Sequence, residues 1–136
     1  MSPSSRIDRK AERARYYLRE LASFRSIAEA DFAQNVRHRA AMERLLYLAC
    51  DTVISLLEMV IAGKRYERAE NYSQNVDILL RHGEINAAQA EILYKVTGLR
   101  NALSHDYEKL DLGRLKAIVD EKLEDIEDLV TILEKA

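Results

Sequence analysis

The chain has 136 residues, 48% of them apolar and 32% charged, a length and balance that suit one soluble domain with a core of its own over 1–136. Its formal net charge of −2 excludes long-range attraction to nucleic acid as a whole-molecule property, so any RNA contact must come from a local basic patch. One proline (Pro3) and four glycines leave too few breakers for the turns of an all-β protein.

Helical periodicity runs almost from end to end. In the first segment Ile7, Ala11, Ala14, Leu18 and Leu21 recur at spacings of three and four, with Ser4 or Ser5 as its cap. Residues 23–30 read as a turn or short helix. The second segment is the longest: Phe32, Val36, Met42, Leu45, Leu46, Ala49, Val53, Leu56, Leu57 and Val60 hold one face up to Gly63. Leu48, Ile54 and Ile61 widen that face, so this helix is expected at the bundle centre, at an interface between two copies, or at both. A polar connection over 64–71 leads to a short helix over 72–81 carrying Val76, Leu79 and Leu80. Asn86 is placed to cap a further helix with the stripe Ala88, Ile92, Val96, Leu99 and Leu103. Asp111 caps a last helix with Leu115, Val119, Leu123, Ile126, Val130 and Leu133 inside, and Asp120, Glu121, Glu124, Asp125, Glu127 and Asp128 outside. Four main helices plus short ones and brief connections imply an all-α, antiparallel up-and-down bundle.

Basic residues that could form a patch are Arg37, His38, Arg39 and Arg44, then Lys64, Arg65 and Arg68; solvated faces of one long helix are the plainer reading. Cys50 stands alone in an apolar stretch, as a buried small hydrophobe would, and a single cysteine allows no disulfide within the chain. The amino terminus has no apolar run behind its basic residues, and no charge-free stretch is longer than that over 52–57, which is short for a bilayer; a cytosolic protein with no membrane contact is expected. His38 and His82 have no second ligand at helical spacing, and no Gly-rich phosphate loop, paired acidic site or Ser-His-Asp set is visible. No metal and no cofactor are therefore expected.

Chemistry concentrates in residues 99–107, where Arg100, Asn101, His105 and Tyr107 fall within eight positions at the end of an apolar helix. Arg100 and Tyr107, seven apart, share a helix face. His105, five from Arg100, points elsewhere unless the helix breaks near Ser104 or the working pair comes from two subunits. A histidine can move a proton to or from a ribose oxygen, an arginine fork can hold a phosphate, and Asn101 can orient either. The same residues also fit structural duties: Arg100 paired to a carboxylate, His105 closing the helix, Tyr107 packing its ring. Asp51, on a largely apolar helix, reads either as a residue of the exposed edge or as a buried partner that fixes a basic group such as Arg100; the second is favoured.

Arg100, residues 101–104, His105, Asp106 and Tyr107 together resemble the Arg-x4-His-x-Tyr motif of the HepT-like HEPN proteins, with Gly98-Leu99-Arg100-Asn101 similar to its lead-in. The run from Met42-Glu43-Arg44 to Asp51 resembles the arginine-to-acid run of that family's long second helix, and the likeness covers nearly the whole chain; Ser104 stands where the family more often has an apolar residue. The resemblance implies a HEPN bundle that forms a homodimer with both motifs lining a cleft between subunits. It further implies the toxin of a toxin-antitoxin module, an RNA endonuclease acting without metal, with Arg100 and His105 as its catalytic residues and Asn101 and Asp51 in support. Its partner would be a minimal nucleotidyltransferase (MNT) antitoxin that attaches AMP to Tyr107. A helical dimer that binds nucleotide or RNA without cutting, and partners the nucleotidyltransferase, is the alternative. A bare helical assembly partner has no need of the three motif residues together.

Overall fold

The computed structural model describes residues 3–105 and 111–136, and every element among them is helical. They are α1 (Pro3–Ala22), a 3-10 turn (Ser23–Ser26), α2 (Glu29–Gln34), α3 (Val36–Gly63), α4 (Tyr72–Arg81), α5 (Ala87–Leu103), α6 (Leu112–Glu121) and α7 (Leu123–Lys135). The long helices close a ring, α1 on α3, α3 on α5, α5 on α7 and α7 back on α1, as an up-and-down bundle requires. Helix α3 sits at its centre and is also covered by α4 and α7. That position explains its broad apolar girth: Met42, Leu46, Ala49, Val53, Ile54, Leu56, Leu57, Val60 and Ile61 are all buried.

Helix α1 already includes Ser4 and Ser5, so neither is its cap, and three further features differ from the sequence expectation. The long second segment is broken at Asn35, whose side-chain oxygen accepts from the backbone N–H groups of Arg37 and His38, both at 3.1 Å. An asparagine offering this bond competes with the helix it interrupts, so Phe32 is buried on α2 and α3 starts afresh. The last segment is two helices, α6 and α7, parted at Lys122; no proline or glycine marks the break, and the predicted inner residues stay buried across it. The buried face of α5 is Ala90, Leu93, Val96 and Thr97, about one residue's rotation from the expected stripe, with Ala88 exposed and Leu99 and Leu103 half-buried. Helix α5 packs on α4 as well as α3, which turns it toward both.

A further correction concerns α3 as a whole. By length and mean hydropathy, 1.9 over its most apolar 18-residue window, it is long and apolar enough to cross a membrane despite Asp51 and Glu58, and half of that window is buried inside the bundle. Counting only charge-free stretches hides this. A core helix covered on several sides has the same composition.

Candidate functional site

The site is built at the meeting of α3, α4 and α5. Asn86 starts α5 with a capping box: its side-chain oxygen accepts from Gln89 N–H at 2.8 Å, and the Gln89 side chain accepts from Asn86 N–H at 2.9 Å. With the start so fixed, Arg100 falls in the last turn of α5, on the side of α3. Its Nε donates to Asp51 Oδ1 at 3.2 Å, and its Nη2 donates to the Tyr47 hydroxyl at 3.4 Å. The guanidinium carbon lies 4.8 Å from the centre of the Tyr72 ring and 5.4 Å from that of Tyr47. Two aromatic faces and one carboxylate thus hold the fork, a combination that suits arginine and not lysine. Burial pulls the Arg100 pKa down, but the Asp51 hydrogen bond and the two tyrosines outweigh it, so the net shift is upward and the group stays charged.

Asp51 is the partner of Arg100 that the sequence suggested, but it is not buried: its side chain is 41% exposed against 20% for Arg100. One oxygen holds Nε while the carboxylate edge still faces water. Asn101 is exposed, with its side-chain oxygen 3.5 Å from Arg100 Nη1, a weak contact at best.

Helix α5 ends at Leu103. Ser104 takes the capping position, its N–H bonded to Arg100 O at 3.1 Å and its hydroxyl donating to Asn101 O at 2.8 Å. The chain therefore leaves the helix before His105, whose N–H turns back to Ala102 O at 3.4 Å and whose residue is exposed. Of the two arrangements the spacing left open, the break at Ser104 is present. Tyr107 lies outside the described residues. Beside the helix end a cavity of about 450 Å³ is lined by Glu43, Arg44, Tyr47, Leu103 and Ser104. Arg44 stacks 5.2 Å from the Tyr47 ring, so Tyr47 lies between two arginines.

The sequence reading missed Tyr47 and Tyr72. Tyr47 is recoverable, standing four residues before Asp51 and so on the same helix face. Tyr72 begins α4 after an irregular connection, and only the tertiary fold brings it to Arg100. The other basic candidates form no single patch. Arg37, His38 and Arg39 sit at one end of α3, and Lys64, Arg65 and Arg68 lie at or beyond the other, about 40 Å away. Arg39 pairs with Glu43 at 2.9 Å and Lys64 with Glu84 at 3.0 Å. His82 stacks on Tyr66 with ring centres 3.7 Å apart. Burial, and then the nearby charge of Asp51, pushes the Cys50 thiol up to about 12, so it is no nucleophile. Among the described residues no group of three or more His, Cys, Asp or Glu side chains is placed to hold a metal ion.

Residues 14–133 match the family model of the HepT-like proteins, described as Ribonuclease HepT-like. A protein of Archaeoglobus fulgidus named "Putative RNase" is 30% identical over 88 residues, which span 65% of this chain and 65% of that protein's own length. Two solved structures have the same fold. A chain of a toxin-antitoxin complex with AMP-PNP superposes with a TM-score of 0.86 at 18% identity, covering 96% of this chain and 98% of the other. A chain of the tri-AMPylated Shewanella oneidensis HEPN toxin in complex with MNT antitoxin gives 0.86 at 19% identity, covering 100% of both.

Proposed function

Since the chain belongs to the HepT-like ribonuclease family, we propose that it is the toxin of a toxin-antitoxin module and an RNA endonuclease that works without a metal ion. The observation that carries this is the open fork at Arg100: a permanently charged guanidinium, fixed by Asp51, Tyr47 and Tyr72, one turn before an exposed histidine at a helix end. An anchored arginine with free donor edges can take the scissile phosphate and neutralise the charge that grows on it. His105 then takes the proton of a ribose 2′-hydroxyl as that oxygen attacks phosphorus, and the leaving 5′-oxygen gains a proton from a second histidine.

One chain offers a single His105, so acid and base together call for two copies with their motif segments facing across a two-fold axis. Half-exposed Leu48 on α3, next to Tyr47, gives such a pair apolar surface to bury. Light scattering at micromolar concentration should find a dimer, and a monomer would remove the second histidine from the scheme.

In this reading Tyr107 receives AMP from an MNT antitoxin, as the solved relative's tri-AMPylated state suggests by analogy. The added phosphodiester would occupy the charge that Arg100 holds for RNA. Intact-mass analysis after co-expression with the neighbouring nucleotidyltransferase should find AMP-sized additions on the parent and none on Tyr107→Phe.

The deciding experiment is incubation of the purified chain with RNA in EDTA. Cleavage should persist, and His105→Ala or Arg100→Ala should lower its rate by about 10²–10⁴ while leaving the fold intact. Variants that cut like the parent would leave the non-catalytic RNA- or nucleotide-binding dimer as the better account.

A further inference from the structure

A second basic region lies on α1, away from the motif. Arg6, Lys10, Arg13 and Tyr17 follow the spacing of one helix face, and Arg9 flanks them. They border a groove of about 570 Å³ between α1 and α3, closed on the other side by Thr52 and Met59, with no acidic side chain among the described residues that line it. Arg6, Arg9 and Arg13 are exposed and Lys10 is half-buried. Among the described residues no ion pair engages any of the four.

Of the acids of α1, Asp8 and Glu12 fall away from this face by their spacing, and Glu20 follows the row about one turn beyond Tyr17. Glu12 and Arg15 pair with each other on the opposite flank, where Arg15 also reaches Glu134 of α7. Between Arg6 and Tyr17 the helix is thus neutralised on one edge and left with an unpaired row of cations on the other. In a chain of net charge −2, such a row is the kind of local patch through which nucleic acid can be held.

We propose that this row is a binding track for the sugar-phosphate backbone of single-stranded RNA, extending the site at Arg100; it rests on the reading that RNA is the substrate. Three of the four cations are arginines, whose forks fit phosphate oxygens. From Arg6 to Arg13 the helix rises about 10 Å, a length that successive phosphates of one strand can follow. Tyr17 ends the row with a half-buried ring, suited to stacking a base. Position links the two regions. Thr52 lines the groove and its neighbour Asp51 holds Arg100, so the track and the fork stand on two flanks of α3. A strand that leaves the fork needs to cross only the width of one helix, about 10 Å, to meet the cations. A lipid surface fits less well, because the apolar residues of α1, Ala11, Ala14, Leu18 and Leu21, are all buried in the core.

The test is fluorescence anisotropy with a labelled oligouridylate, in a His105→Ala background so that cleavage does not intrude. The triple variant Arg6→Gln, Lys10→Gln, Arg13→Gln should bind at least about tenfold more weakly at 100 mM KCl. Its salt slope should be shallower by about 2, near 0.7 for each lost phosphate contact. Arg114→Gln, an exposed cation on α6, should bind like the parent. Unchanged affinity and slope in the triple variant would overturn the proposal. So would RNA binding like the parent's combined with lost co-purification of the nucleotidyltransferase, which would assign the row to an acidic protein surface. Parental RNA binding by a variant that elutes as a smaller species would likewise overturn it, assigning the row to the contact between copies. Because binding is read without cleavage, a parent that never cuts RNA would sink the endonuclease reading and leave a weakened triple variant in favour of the track.

Discussion

Two of the arginines that bridge helices in this bundle, Arg15 and Arg100, are held in opposite ways. Arg15 joins α1 to α7, donating to Glu134 at 2.6 Å, to Thr131 at 3.2 Å and to Glu12 at 2.7 Å. Its side chain and that of Glu134 are 15% and 20% exposed, so most of its hydrogen-bonding capacity is spent inside the protein. Arg100 joins α5 to α3 with one bond to Asp51 at 3.2 Å, longer contacts to Tyr47 and Asn101, and two ring faces. It is positioned without being satisfied. The first arrangement closes the fold; among the described residues the second leaves donor N–H groups without an acceptor, and in the reading proposed above that makes Arg15 a strut and Arg100 a site.

Replacing each arginine by a residue that keeps part of its chemistry sharpens this contrast. The largest effect is expected from Arg100→Lys, which preserves the charge and loses the fork and the stacking on Tyr47 and Tyr72. RNA cleavage should fall by about 10²-fold or more, with a melting temperature close to the parent's. A lysine variant with parental activity would mean that the site needs only a positive charge there, and that the two tyrosines have a different purpose.

Arg15→Ala should do the reverse. It strips Glu134 and Thr131 of their partner in a half-shielded place, at a cost of about 1–3 kcal/mol in stability, with cleavage by the folded protein unchanged. Urea denaturation reads the loss. A variant as stable as the parent but impaired in cleavage would erase the division between strut and site.

What could be read beforehand follows the same division. The α1 stripe, the caps at Asn86 and Asp111 and the inner residues of the last segment depend on local spacing, and the structure places them as expected. The break at Asn35 was readable in principle, since asparagine is a capping residue, but the apolar pattern ran straight across it. The turn of α5 was not readable: with apolar residues on several faces, its packing on α3 and α4 decides which of them is buried. At the site, the pairing of Asp51 with Arg100 was anticipated from an acid on an apolar helix. Tyr72 was hidden, because nothing local ties the start of α4 to the end of α5. The α1 row escaped notice because acids interleave its cations in sequence and separate from them only when the helix is formed.

The smallest expected effect is a pH dependence of the Arg15 strut. The hydrogen bond from Arg15 holds the Glu134 carboxyl below the usual glutamate range, more than offsetting the burial that pushes it up. A group whose folded pKa is depressed contributes stability that is present above its unfolded pKa, about 4.3 for glutamate, and is lost as pH falls through the folded value. Glu134→Gln removes this ionisation while keeping a polar side chain of similar shape. The parent should therefore exceed the variant in urea midpoint at pH 7, by an amount worth about 0.5–1 kcal/mol. That gap should narrow once the pH drops below about 4, where the parent's carboxylate takes up its proton and the pair with Arg15 loses its ionic part. A gap that stays constant down to pH 2 would show that Glu134 holds Arg15 by shape and neutral hydrogen bonding alone, and that the strut owes nothing to charge.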